Sequence, residues 1–88
     1  MTKYTVVWLK SVHHELGEIW LAALDRNAVT AASAELDREL ASDAEEKGKP
    51  LSEGLRIYDA PPLRAVYSVD SPNRLVEVCR IRLLSNKA

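Results

Sequence analysis

Residues 63–84 read Leu-Arg-Ala-Val-Tyr-Ser-Val-Asp, then Ser-Pro-Asn-Arg, then Leu-Val-Glu-Val-Cys-Arg-Ile-Arg-Leu-Leu. Both flanks are rich in β-branched and aromatic residues, the composition of strands. Ser71-Pro72-Asn73-Arg74 fits a type I turn with proline at its preferred second position. The stretch therefore predicts an antiparallel hairpin of Leu63–Asp70 and Leu75–Leu84. Upstream, Ala60-Pro61-Pro62 reads as a turn and Leu55–Tyr58 as a shorter strand, so three consecutive strands form a meander.

The first half of the chain has a different period. Tyr4–Leu9 is aromatic and β-branched and reads as a strand. Ser11 is placed to cap a helix with its hydroxyl. Val12, Leu16, Ile19, Trp20 and Ala23 follow at helical spacing. Asp25-Arg26-Asn27 interrupts the stripe, and Asn27 is the expected cap of a second helix, whose apolar face carries Val29, Ala32, Leu36 and Leu40. Asp37, Arg38, Glu45 and Glu46 are expected on or near its polar side. Gly48 and Pro50 are expected to stop it. Lys49–Gly54 then reads as an exposed loop, and Ser85–Ala88 as a frayed tail. The predicted class is α+β: a strand, a two-helix hairpin, then a three-stranded antiparallel meander, in one sheet with the helices on one face.

Composition bounds the rest. Eighty-eight residues, 47% hydrophobic and 28% charged, suit a single globular domain over 1–88. No apolar run approaches the roughly 20 residues a membrane helix needs. Cys79 is the sole cysteine, which excludes an internal disulfide and points to a cytoplasmic protein. The net charge of −1 hides a split: residues 1–48 hold five basic and nine acidic side chains, residues 49–88 seven basic and four acidic. A basic half can mark an anion-binding region, and it is equally what remains when two acidic helices are set aside.

Strand alternation assigns faces. In Leu63–Asp70, the set Leu63, Ala65, Tyr67 and Val69 is the more apolar and should meet the helices, turning Arg64 away. Arginine is rarely buried unpaired, so Arg80 and Arg82 should also face away, which places Cys79, Ile81 and Leu83 inward. In Leu55–Tyr58, Arg56 and Tyr58 share a side. The expectation is one open face carrying Arg56, Tyr58, Arg64, Arg80 and Arg82, suited to RNA, DNA or an acidic peptide. A solvated face with salt bridges to Asp59 and Glu77 is the plainer alternative. His13-His14-Glu15-Leu16-Gly17-Glu18 lacks the two histidines four apart that a helical zinc site needs. No metal and no cofactor is called for.

Taken in order, Tyr4-Thr-Val-Val-Trp8, Leu16-Gly-Glu-Ile-Trp20, Glu53-Gly-Leu-Arg56, Leu63-Arg-Ala-Val-Tyr-Ser-Val69 and Leu75-Val-Glu-Val-Cys-Arg-Ile-Arg82 resemble the RelE/ParE superfamily of toxin–antitoxin toxins, the plasmid stabilisation proteins. The resemblance spans nearly the whole chain. It implies a toxin held by a cognate antitoxin, acting by mRNA cleavage at the ribosome, the activity that Arg56, Arg64 and Arg82 put first, or alternatively by inhibition of DNA gyrase. It implies catalytic positions at Arg64 and Arg82, with Arg56 near the basic residues of the preceding strand; alternation adds Tyr58 and Arg80 to Arg56 as nucleic-acid or partner-binding positions. Leu83 and Leu84 stand where many nuclease members have histidine or arginine, and the C-terminal tyrosine of those members has no counterpart before Ala88. Cleavage through the 2′-hydroxyl needs a base and an acid as well as a cation, and arginine supplies only the cation. A non-catalytic binding module on the same fold therefore stays open, as does a homodimer through a sheet edge or the helix hairpin.

Overall fold

The computed structural model describes residues 3–84; the tail expected to fray lies outside them. The elements are β1 (Thr5–Trp8), α1 (Lys10–Ala22), α2 (Arg26–Leu40), β2 (Lys49–Pro50), β3 (Leu55–Ala60), β4 (Leu63–Asp70) and β5 (Leu75–Leu83). The strands form one sheet in the order β1-β5-β4-β3-β2. β3, β4 and β5 are the expected antiparallel meander. β1 instead runs parallel to β5, from Thr5 opposite Leu75 to Trp8 opposite Val78. A parallel pair needs a long crossover, and the helix hairpin and meander between the two strands supply it. α1 packs on β5 and α2 on β3 and β4. No helix among the described residues is long and apolar enough to cross a membrane.

The core lies between helices and sheet. Val12, Val29, Ala32, Leu36 and Leu40 meet Leu63, Ala65, Tyr67, Val76, Val78 and Ile81, all essentially without solvent exposure. The predicted apolar stripes of both helices supply this layer, although Trp20 at the end of α1 is partly exposed. Its ring carries the Arg26 guanidinium 4.8 Å above it, and Arg26 donates to the Trp20 and Leu21 carbonyls in the last turn of α1. That contact closes the helix hairpin.

Three helix boundaries depart from expectation. α1 begins at Lys10, directly off β1, with Val12 and His13 N–H both reaching the Leu9 carbonyl, so Ser11 sits within the first turn and caps nothing. Asp25, not Asn27, caps α2 by accepting from Ala28 N–H at 3.1 Å. α2 stops at Leu40, because Tyr4 N–H captures the Ala41 carbonyl at 2.8 Å and Asp43 adopts a left-handed φ of 55°. Residues 41–48 then fold back over the core with Ala44 fully buried. Glu45 leaves the helix and accepts from the Tyr4 and Ser71 hydroxyls.

Gly48 (φ 68°) turns the chain into β2, so the expected Lys49–Gly54 loop opens with a two-residue strand on β3. The predicted 71–74 turn is present, with Arg74 N–H bonded to the Ser71 carbonyl at 3.1 Å.

A bulge in β5 corrects the parity argument. Val66 pairs with Arg80 but Tyr67 pairs with Val78, which leaves Cys79 as an extra residue. Val76 and Val78 point inward before the bulge and Ile81 after it. Both apolar sets are buried although their parities differ. Cys79 is therefore half-buried rather than a core residue, and its thiol lies 3.4 Å from the Glu77 carbonyl.

Candidate functional site: an arginine group on the open sheet face

The face of the sheet away from the helices carries Arg64 and Val66 of β4 and their partners Arg82 and Arg80 of β5. Arg64 and Arg82 lie directly opposite each other, a repulsive arrangement for like charges. The two side chains splay apart. Arg64 turns to its other neighbour, Asp59 of β3, and forms a two-pronged pair: Nε to Oδ1 at 2.7 Å and Nη2 to Oδ2 at 3.1 Å. Arg82 turns to the sheet edge, where Nη1 lies 3.8 Å from Glu15 of α1. Arg80 is exposed and makes no ion pair among the described residues. Lys49 shares this face through its pairing with Ile57, and it borders a hollow of about 230 Å³ with Gly48, Ile57, Asp59 and Arg64. Lys49 escapes the sequence reading because a lysine beside a turn glycine gives no sign of pairing.

The hydrogen bonds from Arg64 hold the Asp59 carboxyl below its ordinary range, against the opposing effect of burial. The pair therefore stabilises the fold above the ordinary aspartate pKa of about 3.9 and loses that contribution as pH falls through the lowered value. Asp59→Asn is expected to remove this part of the acid sensitivity with little loss at neutral pH, since half-exposed pairs contribute only about 0–1 kcal/mol. Urea unfolding of both proteins between pH 2 and pH 7 checks it; parallel acid limbs would show the pair to be inert.

Arg56 and Tyr58 do not join the group. They lie opposite Tyr67 and Ala65, which places them on the helix side of the sheet. Arg56 donates from Nε to the Lys47 carbonyl at 3.0 Å and from Nη2 to the Gly48 carbonyl at 3.4 Å. Tyr58 packs against the core. The rule that keeps arginine off a buried face fails here because Arg56 sits at the rim, where a long stem can lie on apolar surface while its head finds carbonyls. Tyr67 works beside it: its buried hydroxyl is 2.8 Å from the Lys47 carbonyl and 3.0 Å from that of Ala44, and burial pushes the phenol pKa up. Arg56 and Tyr67 together pin residues 44–48.

No histidine reaches the arginines. His14 is exposed beside Glu18 at 3.4 Å, and His13 lies against Trp8 with ring centres 6.0 Å apart, both on α1 behind the sheet. No group of three or more metal-binding side chains occurs among the described residues. The carboxylates that the strands place on the open face are Asp59, filled by Arg64, Glu77, which pairs with Ser68, and Asp70 at the end of β4. Ser68 is four residues from Arg64, or about 13 Å along the strand. The face can bind anions; the carboxylates nearest the Arg64–Arg82 pair are Asp59, held by Arg64, and Glu15 of α1, 3.8 Å from Arg82.

No protein-family model and no curated protein matches the sequence. Solved structures do match. The chain is similar to a chain of the RelBE2 toxin–antitoxin complex of Mycobacterium tuberculosis at 21% identity, covering 94% of this chain and 93% of that one, with a TM-score of 0.78. It is similar to a chain of the chromosomal ParDE system of P. aeruginosa at 17% identity, covering 94% and 98%, with a TM-score of 0.72. The archaeal RelE–RelB complex of Pyrococcus horikoshii gives 16% identity over 98% and 100% of the chains, with a TM-score of 0.66. Two helices laid on one face of this mixed sheet, over nearly the full length of all three, give the chain the α+β fold of the RelE/ParE toxins.

Proposed function

We propose that the chain is the toxin of a type II toxin–antitoxin system, active in the cytoplasm and silenced by a cognate antitoxin. The observation that carries this is the near end-to-end likeness to chains solved within RelBE2, ParDE and RelE–RelB systems. Of the two activities its resemblance implies, the geometry favours inhibition of DNA gyrase by binding over mRNA cleavage at the ribosome. The Arg64 fork that would hold a scissile phosphate is already filled by Asp59. A carboxylate held below its normal pKa is a weak base for a 2′-hydroxyl. Arg80 and Arg82, both exposed, remain as the cations that would contact an acidic target. They also keep ribosome-dependent cleavage as the second reading.

Induced expression is expected to arrest growth, and the arrest is expected to weaken in an Arg80→Ala/Arg82→Ala double variant that still folds. Supercoiling by purified gyrase should fall on adding the protein, while ribosome-bound mRNA stays intact. Mapped cuts in that mRNA, lost in the double variant, would turn the reading to a ribonuclease. Growth without arrest would remove the toxin reading and leave a non-catalytic binding module.

A further inference from the structure

Arg64 and Arg82 face each other across β4 and β5, and each is drawn aside by a carboxylate. Asp59, directly opposite Arg64 on β3, takes both prongs of its guanidinium, Nε at 2.7 Å and Nη2 at 3.1 Å. Glu15 of α1 draws Arg82 the other way and holds it more loosely, at 3.8 Å. Residues directly opposite in an antiparallel pair have Cβ atoms only about 4.5–5.5 Å apart. Two guanidinium groups rooted so closely repel unless an anion lies between them or each finds a carboxylate elsewhere. The chain takes the second course.

The rest of this face is built for the first. Lys49 pairs with Ile57, Ile57 with Val66 and Val66 with Arg80, so cations stand at both ends of an apolar floor. Asp59 shares the hollow of about 230 Å³ with Lys49 and Arg64 and is the acidic member of a lining whose other charges are positive. The Arg64 hydrogen bonds and, more weakly, the Lys49 charge hold the Asp59 carboxyl below its ordinary range, so both cations act on one carboxylate. By filling the fork with both its oxygens, Asp59 shows that the fork is open to two oxygens of one anion. The side chains of the pair are 43% and 39% exposed, so solutes reach it and little stability is lost when it parts.

We propose that Asp59 is an autoinhibitory contact: it occupies the Arg64 fork in place of an external phosphate group, and its departure lets Arg64 and Arg82 close on that group from the two strands. Glu15 restrains Arg82 in the same way with the weaker hold. Asp59 cannot itself join the two arginines, because β4 separates it from Arg82. A phosphate between β4 and β5 has oxygens for both. The proposal concerns the anion affinity of this face, and it stands apart from the target that the protein inhibits.

The probe is inorganic phosphate, titrated into the full chain at pH 7 with chloride holding the ionic strength constant, and the Arg82 Nε–H resonance is the readout. Asp59→Asn keeps the shape of the side chain. It is expected to tighten phosphate binding about fivefold or more, because it frees the fork and removes a like charge beside the ligand. Glu15→Gln is expected to tighten it by a smaller factor. Glu77→Gln removes the same charge from the same face about 13 Å along the strand, beyond the reach of screened charge, and is expected to change binding by less than about twofold. Arg64→Lys added to Asp59→Asn keeps the charge but loses the fork, and is expected to cancel the gain. Circular dichroism shows whether each variant folds as the parent does. Equal gains in Asp59→Asn and Glu77→Gln would reduce the effect to net charge. A gain that survives Arg64→Lys would place the anion elsewhere, and no gain in Asp59→Asn would leave the pair a surface contact. An Arg82 resonance that phosphate moves in none of the variants would show that this face holds no such site. Each of these four results overturns the proposal.

Discussion

Gly48→Ala is expected to destabilise the fold by more than about 3 kcal/mol, the sum of left-handed strain and a backbone clash. Gly48 has φ 68°, where a non-glycine residue loses about 1–2 kcal/mol. An added Cβ would also lie 2.1 Å from the Ile57 carbonyl oxygen and 3.1 Å from the Tyr67 hydroxyl. The first of these is backbone at the centre of the β2–β3 pairing, so it can yield only by unpairing Lys49 from Ile57. In a chain of this size each kcal/mol shifts the melting temperature by about 4–8 °C, so a fall of about 15 °C or more is expected. Two other glycines isolate the causes. Gly54 has φ 80° and open space around its Cβ position, so Gly54→Ala should show only the conformational part, about 1–2 kcal/mol. Gly17 lies within α1 with nothing near, so Gly17→Ala should stabilise by about 0.5–1 kcal/mol. Thermal unfolding of the three variants reads the series directly. Equal losses at Gly48 and Gly54 would show that the close approach to Ile57 has no energetic weight.

The same stretch marks where sequence patterns stop being sufficient. The β4 strand is legible because Leu63, Ala65 and Tyr67 alternate cleanly with Arg64, Val66 and Ser68, and the Ser-Pro-Asn-Arg turn fixes the hairpin. β5 is legible as a strand, but its faces are not. Val76 and Val78 are of one parity and Ile81 of the other, and only a bulge at Cys79 buries all three. That bulge preserves the expected outward Arg80 and Arg82 while moving Cys79 out of the core. Period alone cannot place an extra residue, because the pairing partner decides it. The end of α2 was hidden for a similar reason. Nothing within Ala41–Lys47 forbids a helix; Tyr4, nearly forty residues away in sequence, removes the Ala41 carbonyl from the helical ladder.

The site was half legible. Arg64, Arg80 and Arg82 share the open face as the alternation requires. Arg56 and Tyr58 escape the alternation argument because the register of β3 to β4 decides their side, not the tendency of charge to face solvent. Opposite Tyr67 and Ala65, the two residues must share the inner face. The Asp59–Arg64 pair was visible only as the plainer alternative of a salt-bridged surface. It changes the chemistry of the face, since Arg64 is held by Asp59 and Arg82 lies 3.8 Å from Glu15, which leaves Arg80 as the one of the three arginines without an ion pair among the described residues.

Tyr67→Ala is expected to be the other large loss, about 3–5 kcal/mol, the range for emptying a fully buried aromatic site. Tyr67 is wholly buried on β4, and its ring lies in the cluster that holds Leu36, Leu40 and Ala44. Its hydroxyl serves a separate purpose, holding the Ala44 and Lys47 carbonyls of the segment that leads to Gly48. Tyr67→Phe keeps the ring and removes only that bond. Its cost is expected near 1–2 kcal/mol, because the Ala44 carbonyl then loses its donor while Lys47 keeps Arg56. The two variants therefore divide the residue into packing and anchoring. Alkaline unfolding separates them further. Burial raises the Tyr67 phenol pKa, so the folded state holds its proton more tightly than the unfolded chain. Stability is then complete below the ordinary tyrosine value of about 10 and falls as pH rises above it. Tyr67→Phe should flatten that alkaline decline without abolishing it, because Tyr4 is also raised, by burial and by its bond to Glu45. Denaturant titrations between pH 7 and pH 11 measure the decline. A Tyr67→Phe protein as stable as the parent at neutral pH would mean that the Tyr67 hydroxyl has no part in holding residues 44–48.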